Sequence, residues 1–150
     1  MASASAVSHH TTNTGLGRRA VAGVVGGIAG GIVFGILMAM MGMLPVIASM
    51  VGSDSAVVGF GVHLMISVGI GLGLTVPFAG RLLTSYGRGA LVGVAYGAIW
   101  WVLGPLLIMP AMMGMPLLAI DGGAWMSLMG HMIYGIILGL VAVRVLQHRA

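Results

Sequence analysis

The chain has 150 residues, 59% of them apolar and only 5% charged, against about 25% charged in an ordinary soluble domain. Six Arg and two Asp cannot cover the surface of a compact water-soluble fold, so lipid is the solvent this composition expects. The net charge of +4 lies on no basic, aromatic-interleaved surface, which excludes a nucleic-acid partner, and the lack of Cys excludes disulfides, thiolate metal sites and Cys nucleophiles.

Residues 1–17 (MASASAVSHHTTNTGLG) are small and polar and read as a disordered tail, leaving 18–150 as one membrane domain. Arg18-Arg19 then opens an apolar run that reaches Val51. A cleavable signal peptide has an apolar stretch of about 7–15 residues, so this longer run reads as a retained span. Four spans are expected at 20–46, 55–79, 89–113 and 123–146. Each exceeds the ~20 residues that a ~30 Å hydrocarbon core requires. Pro45, Gly104-Pro105 and Pro110 are placed to bend or shorten the first and third helices near their outer ends.

Weaving the chain four times puts Arg18, Arg19, Arg81, Arg88, Arg144 and Arg149 on one side, and Asp54 and Asp121 on the other. By the positive-inside rule, both termini and the central loop then face the cytoplasm, with the protein in the inner or plasma membrane of the cell. Asp54 and Asp121, at the outer starts of the second and fourth helices, are expected to cap them. Trp100, Trp101 and Trp125 suit packing or interfacial anchoring, and His9, His10 and His148 lie in exposed tails.

The two halves resemble each other. MAMMGMLP at 38–45 is matched by MPAMMGMP at 109–116. Gly59, His63, Ser67 and Gly71 fall four apart, and Ser127, His131, Gly135 and Gly139 repeat that spacing after a comparable outer Asp. The expected architecture is therefore an all-α membrane protein of four transmembrane helices in two tandem hairpins, about 18–80 and 88–147. A repeat of two spans crosses the membrane an even number of times. Both copies then face the same way, related by a pseudo-two-fold axis along the membrane normal.

His63 and His131 are the titratable groups well inside spans. At 1.5 Å per residue each lies roughly 10–15 Å below the outer boundary. Their Gly and Ser neighbours one turn away mark a stripe that packs against another helix, so Gly59, Ser67, Gly71, Ser127, Gly135 and Gly139 are expected to be helix-packing positions. Two readings stand side by side. In one, the imidazoles pair as axial haem ligands or bind copper, with Gly35 and Gly104 leaving space beside them. The thioethers of Met40, Met43, Met112 and Met115 would supply a soft-metal path above. In the other, each His only joins helices by a hydrogen bond, and the methionines fill gaps near kinked helix ends.

Three stretches, VGSDSAVVG at 51–59, WWVLGPLLIM at 100–109 and SLMGHMIYG at 127–135, resemble a family of small uncharacterised four-span integral membrane proteins of bacteria and archaea. The resemblance extends over most of 20–146 and implies the same topology, without an activity attached. The chain has no carboxylate pair, Ser–His–Asp set or phosphate-cradling loop, so a non-enzyme is expected. An intramembrane carboxylate for proton-coupled export is absent too. What remains is a haem- or copper-binding membrane protein or, alternatively, a permeation, accessory or scaffold subunit. Its partners would be the lipid bilayer and either copies of itself or a larger membrane complex.

Overall fold

Six glycines in α1 (Leu16–Met40) decide how the helices assemble. The computed structural model describes residues 15–148, and the expectations for His9, His10, most of the polar tail and Arg149 lie outside the described residues. Gly23, Gly27, Gly31 and Gly35 recur every four residues and form one face; Gly26 and Gly30 form a second, about 100° round the helix. With side chains missing from both faces, two neighbours can approach α1 at backbone distance.

α1 stops at Met40, six residues before the expected end of the first span. Gly42 takes a left-handed φ of +68°, and Pro45 then opens a separate short helix, α2 (Leu44–Ser49). Rather than bending one helix, the proline starts another. α2 lies across the beginning of α3 (Ala56–Leu82), where a Cβ on Gly59 would collide with the Leu44 carbonyl oxygen. Ser55 caps α3, its Oγ accepting from the Val58 N–H at 3.5 Å, so Asp54 does not take the capping position expected of it.

α4 (Tyr86–Leu103) follows after a tight turn and runs into a π-helical turn at Gly104–Ile108, then α5 (Met109–Met113). The π turn is the form that the bend expected at Gly104-Pro105 takes: Pro105 has no N–H to continue the α ladder. Leu118, in the loop beyond, has φ +56° and donates its N–H to the Leu106 carbonyl at 2.9 Å, folding that loop back over the π turn. α6 (Gly122–Gln147) starts at Asp121, whose carboxylate accepts from the Ala124 N–H at 2.8 Å, as expected.

All the regular structure of the described residues is helical, and four of the helical stretches are long and apolar enough to cross a membrane. α1 pairs antiparallel with α3, and α4 with α6, so the fold is two hairpins. α1 also packs along α6, joining them, while α3 and α4 touch only sparsely. Arg18, Arg19, Arg81, Arg88 and Arg144 thereby gather at one end, with Asp54 and Asp121 at the other.

Both hairpins are closed in the same manner. In the first, a Cβ on Gly27 would lie 2.6 Å from the Ser67 carbonyl oxygen, and one on Gly71 would strike that of Gly23. In the second, Gly93 and Gly135 face each other's carbonyl oxygens, as do Gly89 and Gly139. Lipid tails are as apolar as Leu, so burial from water drives none of this; close van der Waals packing and Cα–H···O contacts hold the helices. The α1–α6 seam uses Gly26 against Leu138, Gly30 against Tyr134, and Gly130 against the Phe34 ring.

Candidate functional site

All the buried polar side chains of the described chain, tyrosines aside, lie on one stripe of α3: His63, Ser67 and Thr75. Their spacing of four and eight residues keeps them on the face turned to α1, because 3.6 residues make a turn. Each has a partner. His63 Nε2 lies 3.0 Å from the Gly31 carbonyl oxygen of α1, and the Ser67 hydroxyl lies 3.5 Å from the same nitrogen. Thr75 donates to Gly71 O at 3.1 Å. At the arginine end, Arg19 Nη1 donates to Val76 O at 3.2 Å.

His131 is arranged differently from His63. Its Nδ1 lies 2.8 Å from the carbonyl oxygen of Ser127, one turn earlier on its own helix, and 3.4 Å from the Ser127 hydroxyl. Ser127 is therefore a local partner of the imidazole, whereas Gly59, Gly71, Gly135 and Gly139 sit in close helix contacts. Ser67 is 2% exposed and packs against Gly31.

Phe34 brings the two histidines into one cluster. Its ring lies edge-on to both imidazoles, with centroids 5.3 Å from His63 and 4.8 Å from His131. Both imidazoles point into the bundle and meet the same phenyl ring, so they share a depth. Gly35 leaves no space at this level: a Cβ there would lie 2.6 Å from the Phe60 ring and 3.2 Å from His63 Cδ2. Gly104, the other position expected to leave room, faces open space.

Tyr134 completes the cluster. Passing over Gly30, it reaches diagonally across the bundle from α6 and donates to Ser67 O at 2.6 Å. Tyr96 of α4 makes the matching reach to Ile70 O of α3 at 2.9 Å. Two phenols of the second hairpin thus pin the helix that carries the polar stripe. The sequence signal was available in part, since Tyr134 lies three residues beyond His131 and shares its side of the helix. Changing Tyr134 to Phe keeps the ring and removes the bond. We expect a loss of about 0.6–1.7 kcal/mol, the range for interhelical hydrogen bonds in lipid, read by reversible unfolding in mixed micelles. No change would mean that the phenol is not a fastener.

The methionines divide. Met40, Met43, Met112 and Met115 are all exposed, and α5 makes at most marginal contact with α1. Met40 and Met41 instead share a crevice with Met126 and Met129 of α6, two residues that the reading of the sequence passed over. Among the described residues, no three His, Cys, Asp or Glu side chains group closely enough to hold a metal ion.

At the same end of the bundle, Trp101 Nε1 donates to Ala124 O at 2.9 Å and its ring stacks on Trp125, tying α4 to the start of α6. No family model, curated protein or solved structure matches the chain.

Proposed function

We propose that this chain is a non-enzymatic accessory or scaffold subunit of the cell membrane, in which the histidines fasten helices. The observation that carries it is the use made of both imidazoles. His63 engages the Gly31 carbonyl oxygen across α1 and α3, His131 is held to the Ser127 carbonyl of its own helix, and Phe34 of α1 packs against both rings. Backbone-close contacts along α1–α3, α4–α6 and α1–α6 favour a rigid bundle over a permeation path. The arginine end is placed in the cytoplasm by the positive-inside rule, with both termini there. Partners would be copies of the chain or other membrane helices, met through its lipid-facing apolar residues.

We read the hairpins as tandem repeats about an axis along the membrane normal. Support comes from the glycine ladders: Gly23, Gly27 and Gly31 face α3 as Gly89, Gly93 and Gly97 face α6. On that alignment the α1–α6 seam has Gly26, Gly30 and Gly130 where the α3–α4 seam has Val92, Tyr96 and Val62. Larger side chains at equivalent positions account for the sparser second seam.

A second reading, paired ligation of haem or copper by His63 and His131, is favoured by their common depth and by the one ring nitrogen that each leaves outside the bonds described. Converting both histidines to Gln separates the readings. The fastener role predicts a folded chain weakened by about 1 kcal/mol, for the one interhelical bond lost, His63 to Gly31 O, with an unchanged absorption spectrum and metal content. A Soret band or stoichiometric copper in the native protein, lost in the double variant, would overturn it.

A further inference from the structure

At the end opposite the arginines, the last turn of α1 and the first turns of α6 enclose a crevice of about 100 Å³ lined by Leu37, Met40, Met41, Met126 and Met129. Four of these five side chains are methionine, in a chain where Met is 14 of 150 residues. They arrive as two pairs, Met40 with Met41 and Met126 with Met129, from helices that pack antiparallel. Met126 and Met129 are three residues apart, which puts both sulfurs on one face of α6.

We propose that this crevice is a soft-cation site that takes a single Cu(I) ion through the thioethers of Met40, Met41, Met126 and Met129. The chemistry of the lining selects the ion. Neutral thioethers are poor ligands for hard cations such as Mg²⁺ or Ca²⁺, which want oxygen, and good ligands for Cu(I), which tolerates two to four sulfur donors. No lining residue offers a carboxylate or imidazole. Exposure argues against simple gap-filling: a methionine that fills a void is buried, whereas Met40 is 80% exposed, Met126 47% and Met129 45%. These flexible side chains line an open mouth and are free to close round an ion. The position also suits a cation, since the crevice opens at the end of the bundle and not at mid-membrane, where an unpaired charge is most costly. Met40 and Met41 lie six and seven residues beyond Phe34, roughly 10 Å outward of the ring that packs against the two histidines.

The inference does not depend on the scaffold reading, which concerns the imidazoles. The test uses the full chain in detergent, kept anaerobic, with Cu(I) supplied from a chromophoric chelator whose colour reports the ion it loses. The wild type is expected to withdraw one equivalent, with an X-ray absorption edge showing a sulfur shell. Converting Met126 and Met129 to Leu preserves volume and should leave helicity and unfolding almost unchanged. It should also weaken Cu(I) binding by roughly 100-fold or more, because loss of outer-shell partners alone costs about 10–100-fold. Met112→Leu with Met115→Leu, outside the crevice, should bind as the wild type does. A wild type that takes no copper from the chelator overturns the proposal. So does a Met126/Met129 variant that binds equally well, and so does copper that is lost only when His63 and His131 are replaced.

Discussion

Truncating Phe34 to Ala is expected to destabilise the bundle by about 3 kcal/mol, the low end of the range for Phe→Ala in packed interiors. The low end applies because lipid is as apolar as the core, leaving lost packing and the cavity as the cost. Phe34 is 6% exposed and touches His63, His131 and Gly130 at once. Its loss therefore removes the side chain of α1 that packs against both imidazoles at once. The measurement is the free energy of unfolding in mixed micelles, with tryptophan fluorescence as the probe. A loss below about 1 kcal/mol would show that the imidazoles collapse into the void.

Gly93→Val is expected to cost as much or more and to separate α4 from α6. A Cβ on Gly93 would collide with the Gly135 carbonyl oxygen and lie 2.6 Å from its carbon, both of them backbone atoms that no rotamer can move aside. Overpacking of this kind costs about 1–3 kcal/mol where side chains can yield, so a backbone clash belongs at or above the upper figure. Gly69 supplies the control. It lies in α3 with nothing within 4 Å of its Cβ position, and Gly→Ala there should stabilise by about 0.4–1 kcal/mol through the less flexible unfolded chain. Equal destabilisation at both positions would refute the close-contact account of the hairpins.

The contrast between these glycines marks what a reader of the sequence could see. Length and hydropathy alone give four spans, because every backbone polar group in lipid must be bonded within its own helix. The four-residue ladders of small residues around His63 and His131 identified the packed faces of α3 and α6, since that spacing keeps one side of a helix. Helix ends were harder. The stop at Met40 depends on Gly42 adopting a left-handed φ, and the change of cap from Asp54 to Ser55 depends on which side chain reaches the Val58 N–H.

Partners across helices were beyond the sequence altogether. Gly26 and Gly30 read like the other glycines of α1, yet they receive a different helix, and Phe34 reads as an ordinary apolar residue until two imidazoles are found against it. Met40 was expected to work with Met43, Met112 and Met115, whereas the fold groups it with Met41, Met126 and Met129.

What the sequence determined by itself is one-dimensional: how many times the chain crosses, which residues share a face, and at which end the charges collect. Those properties follow from local rise, periodicity and the cost of an unpaired peptide group in hydrocarbon. Which faces meet was decided only by tertiary packing. In lipid no water drives apolar surfaces together, so the choice rests on small differences in how closely two backbones fit. At the α1–α6 seam that fit is made by Gly26, Gly30 and Gly130, which let α1 lie along α6, while α3 and α4 touch only sparsely.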